Sequence, residues 1–468
     1  MEGPIGIDLK EWKRWRGHTI ATFYFAAFCY GLSFSIYYPT EYLYIKQVGQ
    51  NIHPALYFAL ATGFGYGASF LAIFVGSIYY DFTLDAKRGV FINMILVLIG
   101  NILYSLPYSL ALIMIGNFLI QTLTACLSIN LSEIMHVVEE EHLTRTTAIL
   151  VAFKLAGTFI GPALSFFFVQ VDVSFHGWRL NFGNMPSAVM AGITLLYTIV
   201  HCIFMKNTAK IYDLKAHKER QKISNFDEKD IDKVEDNDMK SEGCDYEKDS
   251  LIETKSQGKV TANNSIKEYF KTALKVVTGR HYAFTLLASA LTGYCNFLVL
   301  NLFTLISIES LSWKPNQVAL LRINTMSAGL LSTAIVMIIS KKVKDFVILY
   351  ISVCTTILPI TAVAVLPHIK DPYIQGILLH LTACVTGFVD APLIVSSTVI
   401  IAKIVPSQYQ GIAEAVRNAA FFLFFALSAL SVSWVYHYLT AGCLFCIFLC
   451  IVSATLLACE VAYFMGKK

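Results

Sequence analysis

Four ionisable side chains interrupt long apolar runs of this sequence: Glu41, Lys154, Arg322 and Asp390. A charge inside a bilayer is costly unless it faces a partner or a polar cavity, so such residues often mark the path of an ion or solute. Lys154 and Arg322 could bind an anion, whereas Asp390 and Glu41 could carry a proton. The alternatives are snorkelling of the two cations to the lipid headgroups and a structural ion pair for Asp390. We predict a substrate or ion site built from these four residues, with an anion favoured.

A second pattern concerns helix packing. Gly157 and Gly161 stand four residues apart and are followed directly by Pro162. Small residues at this spacing let two helices approach closely, and the proline removes a backbone hydrogen bond, so the segment can pack and bend. We predict a gating role for this motif, although packing alone would also explain each glycine.

A third pattern lies in the second connection, where Gly76 and Asp81 precede the basic pair Lys87 and Arg88. The glycine allows close helix approach, and the acid can pair with the positive N-terminus of a neighbouring helix. The basic pair is expected to stay in the cytosol. An ordinary cytosolic connection would contain the same residue types, so these residues could be a functional motif or could only set the orientation in the membrane.

The elements that position these residues follow from composition. Hydrophobic residues make up 56% of the 468 and charged residues only 15%, which is too apolar for a soluble globular enzyme. A bilayer core needs about 20 apolar residues per helix. We predict an all-α integral membrane protein with twelve transmembrane helices in two six-helix bundles. The predicted spans are residues 18–44, 55–79, 89–107, 110–133, 146–169, 183–205, 282–307, 317–340, 345–366, 374–402, 410–435 and 441–464.

Charge distribution predicts the orientation and the domain boundaries. Thirteen lysines and arginines lie in the connections on one side and four on the other, which places both termini in the cytosol. Residues 206–280 contain a run of mixed charges with few large apolar groups, which is typical of a disordered linker. We therefore predict an N-terminal bundle over 1–205, a cytosolic linker over 206–280 and a C-terminal bundle over 281–468.

The linker also contains a candidate sorting signal. Glu247 precedes Leu251 and Ile252 at the spacing of an acidic dileucine motif. Cytosolic adaptors read such motifs in accessible segments, so a clathrin adaptor is a predicted partner.

Several of these motifs together resemble a known family. The Gly76 to Arg88 connection and the Gly157 to Pro162 motif are similar to signatures of the major facilitator superfamily. Further stretches resemble its lysosomal, neuronal ceroid-lipofuscinosis-linked branch, typified by major facilitator superfamily domain-containing protein 8; they are Trp15–Arg16, Gly31–Ile36, Arg145–Ala163 and Leu180–Pro186. The sequence departs from the superfamily at Asn117, where many members carry an arginine. The resemblance implies transport across a lysosomal or endosomal membrane.

These observations predict a secondary transporter that works by alternating access and is driven by protons. No phosphate-binding loop, metal site, cofactor or nucleic-acid footprint is recognisable in the sequence, so an enzyme is not expected. The expected partners are a small solute or ion and the lipid bilayer. Two alternatives stay open: an anion channel on the same scaffold, and a membrane scaffold or receptor that has lost transport.

Overall fold

A computed structural model describes residues 9–49, 53–138, 140–168, 170–175, 178–211, 278–339, 342–405 and 410–466. Within these residues, twelve helical segments are long and apolar enough to cross a membrane, as predicted. We call them the first to twelfth spans. They are formed by the helices Leu9–Ile36, Pro54–Thr83, Ala86–Ser105, Leu110–Gln121 with Leu123–Val137, Glu140–Phe168, Met185–Phe204, Arg280–Leu305 with the π-helical turn Ile306–Ser310, Pro315–Ile339, Asp345–Thr355 with Ile357–Val365, Pro372–Ile404, Gln410–His437 and Leu439–Gly466.

The first span differs from the predicted residues 18–44. Its helix begins at Leu9 and ends at Ile36, and a turn over residues 37–40 separates it from the short helix Glu41–Gly49. Pro39 lies in this turn, where the absence of a proline N–H and the ring itself oppose a continuous helix. Glu41 therefore begins a separate helix instead of ending the first span.

The sequence did not predict a two-stranded antiparallel hairpin between the fifth and sixth spans. Its strands are Asp172–Phe175 and Trp178–Asn181. Trp178 donates through Nε1 to the carbonyl oxygen of Ser105 at 3.0 Å, and Asn184 donates to the same oxygen at 2.8 Å. These bonds fix the hairpin to the end of the third span.

Six spans precede residues 212–277 and six follow them; we call residues 9–211 the first half and residues 278–466 the second half. The first span packs on the fifth within the first half, and the eighth packs on the tenth within the second. The halves meet mainly where the second span packs on the eleventh and the fifth on the eighth. Residues 206–211, which were predicted to begin the linker, pack with the first half, because the backbone of Lys206 bonds to Thr19 of the first span.

The two ends of the molecule pack differently. Because the number of spans is even, Leu9 and Gly466 lie at the same end, which we call the terminal face; the other end is the distal face. Toward the distal face, one apolar cluster contains residues of both halves, such as Tyr42 and Phe58 with Ile308 and Val318. Toward the terminal face the larger clusters belong to one half each, and a small cluster around Ile73, Ala415 and Ala419 joins the halves.

Candidate functional site

The turn after the first span brings two side chains into the interface between the halves. Tyr38 and Glu41 flank Pro39 and Thr40, and both are buried. The hydroxyl groups of Tyr38 and Tyr66 lie 2.8 Å apart, which connects this turn to the second span. The break in the helix therefore has a structural consequence, since it turns these polar groups toward the second half.

Arg322 of the eighth span approaches the turn from the second half. Its side chain is 1% exposed, and Nη2 donates to the Leu300 carbonyl oxygen at 2.6 Å and to Thr304 Oγ1 at 2.9 Å. The guanidinium carbon lies 4.6 Å from the centre of the Tyr38 ring, within the range of a cation–π contact. Nε has no hydrogen-bond partner among the described residues. The snorkelling alternative for Arg322 is therefore wrong, because the side chain ends inside the protein.

Glu41 is held on the first-half side of this cluster. Asn117 donates through Nδ2 to Glu41 Oε1 at 3.2 Å and to the Ala61 carbonyl oxygen at 3.0 Å. Glu41 also interacts electrostatically with Arg322 across the interface. Asn117, the position where the sequence departs from the superfamily pattern, thus positions the carboxylate that faces the buried arginine.

Lys154 and Asp390 form the second cross-interface pair. They lie near the middle of the fifth and tenth spans, respectively, and interact electrostatically. The Lys154 ammonium lies 5.1 Å from the centre of the Tyr30 ring of the first span. Both charged side chains are partly exposed, in contrast to Glu41 and Arg322.

The two pairs are reciprocal. The first half supplies the cation Lys154 and the anion Glu41, and the second half supplies the anion Asp390 and the cation Arg322. Tyr38 lies between the pairs, since it interacts electrostatically with Arg322, Glu41 and Asp390. The structure thus brings all four predicted substrate or ion residues to one interface, and their formal charges sum to zero.

An aromatic cluster packs beside these charges. The rings of Phe297 and Phe425 stack with centroids 4.2 Å apart, and Tyr66 meets both rings edge-on at 5.0 and 6.0 Å. Phe34 adds an edge contact with Tyr38 at 5.5 Å. The first, second, seventh and eleventh spans therefore meet through aromatic rings, which close the space between the halves around the polar groups.

The distal face is closed by a polar contact that sequence reasoning missed. Lys46 Nζ donates to Glu309 Oε1 at 2.8 Å, and the Tyr42 hydroxyl donates to the same oxygen at 2.6 Å. Lys46 and Tyr42 belong to the short helix after the first span, whereas Glu309 lies in the π-helical turn that ends the seventh. In the sequence, Lys46 and Glu309 are opposite charges that each follow the end of a predicted span, and this pattern could have indicated the contact.

The predicted glycine motif lies in a backbone-to-backbone contact. A Cβ added to Gly157 would lie 2.1 Å from the Phe28 carbonyl oxygen, and one added to Gly31 would lie 1.9 Å from the Lys154 carbonyl oxygen. Gly161 faces Ser35 in the same way, at 2.1 Å. The first and fifth spans therefore touch along the segment that carries Lys154. Pro162 lies inside the same helix, and the gating role of the motif stays a prediction.

The connection between the second and third spans is organised by Asp85. Its side chain accepts from the Arg88 backbone N–H at 3.1 Å and from Asn207 Nδ2 at 2.8 Å, so it caps the third span. Lys87 donates through Nζ to the Cys202 carbonyl oxygen at 2.9 Å. Asp81, the acid predicted to pair with the positive N-terminus of a neighbouring helix, lies four residues earlier, and its side chain is outside the described part.

Gly76 of the same motif packs against the fourth span, since an added Cβ would lie 2.9 Å from the Ala125 Cβ. A neighbouring buried acid, Glu133, was also missed, because the predicted fourth span ended at that residue. Glu133 accepts from the Tyr80 hydroxyl at 2.7 Å and from the Thr208 hydroxyl and Ala209 N–H at 2.8 Å each. These bonds fix the chain after the sixth span to the first half.

The predicted sorting residues Glu247, Leu251 and Ile252 lie outside the described residues. Among the residues that are described, no group of three histidine, cysteine or acidic side chains could hold a metal ion.

Comparisons with known proteins agree with this architecture. A family model described as Major Facilitator Superfamily matches residues 23–429. The chain is similar to the crystal structure of a D-xylose-proton symporter, with 12% identity, a TM-score of 0.66, and coverage of 95% of this chain and 97% of that chain. It is also similar to a peptide transporter POT in complex with sulfate (15% identity, TM-score 0.63, coverage of 96% and 95%). A POT family transporter in complex with 5-aminolevulinic acid gives 14% identity, a TM-score of 0.61 and coverage of 96% of both chains. No curated protein matches the sequence. At these identities the solved structures show the fold alone.

Proposed function

The chain belongs to the major facilitator superfamily, and from that premise we propose that it is a secondary transporter that moves a small monovalent anion together with one proton. The family and the twelve-span fold indicate a transporter and not an enzyme. Cotransport of an anion and a proton is supported by the reciprocal placement of charges between the two halves, where Lys154 and Glu41 lie opposite Asp390 and Arg322.

The charge balance of this site favours electroneutral cotransport. The two cations and two anions sum to zero, and they lie in an environment of low dielectric where an unbalanced charge is costly. Binding of a monovalent anion would leave one excess negative charge. Protonation of Asp390 or Glu41 restores neutrality, so the loaded site holds one anion and one proton. Asp390 is the first candidate for the proton, because it is the more exposed of the two acids.

The same placement fits alternating access. Each charge pair has one member in each half, so rocking of the halves changes both pairs at once. In the present conformation the contacts of Glu309 with Lys46 and Tyr42 close the distal face. We propose that these contacts break when the site becomes accessible from the distal face. The two halves then come together near the terminal face.

We further propose a lysosomal or endosomal membrane with both termini in the cytosol. The supporting observations are the resemblance to the lysosomal branch, the excess of basic residues on the terminal side and the dileucine pattern at Leu251 and Ile252. The proton gradient of an acidic organelle would then drive export of the anion from the lumen to the cytosol. The test is a Leu251→Ala, Ile252→Ala double variant, which should accumulate at the plasma membrane; unchanged lysosomal residence would place the signal elsewhere.

The transport proposal is tested with purified protein in proteoliposomes. Uptake of labelled chloride, phosphate, monocarboxylates, amino acids and sugar acids is measured under an imposed pH gradient, with the membrane voltage set independently by potassium and valinomycin. Uptake should follow the pH gradient and should be insensitive to voltage. Asp390→Asn should lose the pH dependence, and Arg322→Gln should reduce uptake by more than about tenfold, because a charge-assisted contact with the anion is lost.

Asp172→Asn is the matched control for the acid. This carboxylate is exposed on the hairpin, and the hydrogen bond from Arg179 holds its pKa below the ordinary value, so it is ionised throughout the assay. It should transport like wild type. If Asp390→Asn keeps its pH dependence and Glu41→Gln loses it, the proton site is Glu41. Anion flux that follows voltage and ignores the pH gradient would contradict coupled transport and favour the channel.

A further inference from the structure

A lateral crevice opens on the outside of the first half, away from the interface between the halves. It lies between the second and third spans, has the fourth span as its floor, and encloses about 320 Å³. Ala68, Ala72 and Gly76 line the wall formed by the second span, and Gly89 and Ile92 line the wall formed by the third. The small residues leave the two spans apart where larger side chains would fill the gap.

The lining favours an apolar occupant. Asn93 donates through Nδ2 to the Gly89 carbonyl oxygen at 3.0 Å, and Thr122 donates through Oγ1 to the Leu119 carbonyl oxygen at 2.7 Å. Asn93 and Thr122 are thus bonded to their own helices, and the third polar side chain of the lining, Tyr79, lies at the end of the crevice nearest the terminal face. The remaining walls are mostly aliphatic, and an apolar cavity takes up an apolar guest in preference to water.

The length of the crevice matches one lipid leaflet. Ala68 and Tyr79 mark its two ends along the second span. Eleven residues of helix rise about 16 Å, which is close to half of a bilayer core of about 30 Å. The Tyr79 end lies near the terminal face, because the second span ends at Thr83. The crevice therefore runs from that face to the middle of the bilayer.

A positive charge stands at the terminal mouth. Arg88 precedes Ile92 by four residues, so the two side chains lie on the same face of the third span. The Arg88 side chain is 80% exposed, and its Nε lies 3.6 Å from Asp85 Oδ2. A guanidinium group binds phosphate oxygens through paired hydrogen bonds, and this one is within reach of the headgroup region.

We infer that the crevice binds one acyl chain of an anionic phospholipid from the leaflet at the terminal face, and that Arg88 holds the lipid phosphate. Both parts of the lipid match the site, because the aliphatic groove binds the acyl chain and the exposed guanidinium group binds the phosphate. The site is separate from the interface charges, so it does not depend on the proposed transport function.

The test uses the purified full-length protein, stripped of lipid in detergent. Binding of dioleoyl phosphatidylglycerol is measured by native mass spectrometry and compared with dioleoyl phosphatidylcholine, which has the same chains, and with glycerol phosphate, which has the phosphate alone. Wild type should bind phosphatidylglycerol in preference to both. Arg88→Gln should weaken this binding by about tenfold through loss of the charge-assisted bonds, and Ala72→Leu should weaken it by filling the groove.

Arg179→Gln and Ala334→Leu are the controls. Arg179 is an exposed arginine at the distal face, and Ala334 is an exposed alanine of the eighth span, so neither change should affect binding. Equal binding of phosphatidylglycerol by Arg88→Gln and wild type, or by Ala72→Leu and wild type, would overturn the proposal. Glycerol phosphate bound as tightly as the lipid would show a free-phosphate site and would also overturn it.

A second measurement covers the case in which Ala72→Leu fails to fold. A phosphatidylglycerol with a photoreactive group at the end of one acyl chain is cross-linked to wild type. The label should map to the residues around Ala68, Leu96 and Phe118, where the inner end of the crevice lies. A label spread evenly over all twelve spans would indicate bulk lipid contact and would contradict the inference.

Discussion

Substitution of Gly157 by alanine tests the packing on which the position of Lys154 depends. The added Cβ would lie 2.1 Å from the Phe28 carbonyl oxygen, whereas ordinary contact begins at 3.4 Å. The difference of 1.3 Å must be relieved by moving the first and fifth spans apart, because the three nearest atoms all belong to backbone. Overpacking of this kind costs about 1–3 kcal/mol. We expect the free energy of unfolding of Gly157→Ala to be lower than that of wild type by this amount. The variant should therefore unfold at a lower detergent concentration.

Gly192→Ala is the matched control, because nothing lies within 4 Å of a Cβ added to Gly192. Alanine should there stabilise the helix by about 0.5–1 kcal/mol through its higher helix propensity. Both variants are titrated with sodium dodecyl sulfate in mixed micelles, and unfolding is followed by circular dichroism. If Gly157→Ala and Gly192→Ala unfold at the same detergent concentration, the close contact between the first and fifth spans does not exist.

Three further predictions concern polar contacts. Glu309→Gln should weaken the closure of the distal face by about 0.2–1 kcal/mol, since the ion pair is partly exposed. The ratio of open to closed populations, measured from spin-label distances across that face, should therefore rise by no more than about fivefold. Glu133→Gln should destabilise the protein by about 1–3 kcal/mol, because its amide would face three donors, and trypsin should then cut faster at Lys210. The ion pair of Asp172 with Arg179 should persist until the pH falls below about 4, because the folded-state pKa of Asp172 is lowered and the stabilisation is lost only as the carboxylate protonates; the chemical shift of the carboxyl carbon measures this.

Burial changes the interpretation of an intramembrane charge. Arg322 lies seven residues from the distal start of its helix, a position from which a long side chain could reach the headgroups. Instead, Leu300 and Thr304 of the seventh span accept its hydrogen bonds. Removal of this arginine should therefore leave two acceptors and one buried tyrosine ring without their partner, in addition to any loss of transport.

Hydropathy along the chain is enough to predict the number and approximate limits of the spans. Backbone groups in a bilayer must be satisfied within each segment, so a run of about 20 apolar residues can be read as a helix without knowledge of its neighbours. A charge inside such an apolar run is also visible in the sequence, as at Glu41, Lys154, Arg322 and Asp390. The predicted limits of the first span were wrong, because Pro39 opposes a continuous helix within an apolar run that extends beyond it.

Which of these charges meet depends on how the helices pack in three dimensions. The pairing of Glu41 with Arg322 joins residues more than 280 positions apart, and it depends on the rotation and tilt of helices from both halves. Helix rotation is set by side-chain packing between neighbouring helices. A hydropathy profile contains no information about this packing. For the same reason, neither the contact of Asn117 with Glu41 nor the crevice beside Arg88, which small residues of the second and third spans line, could be predicted from the sequence.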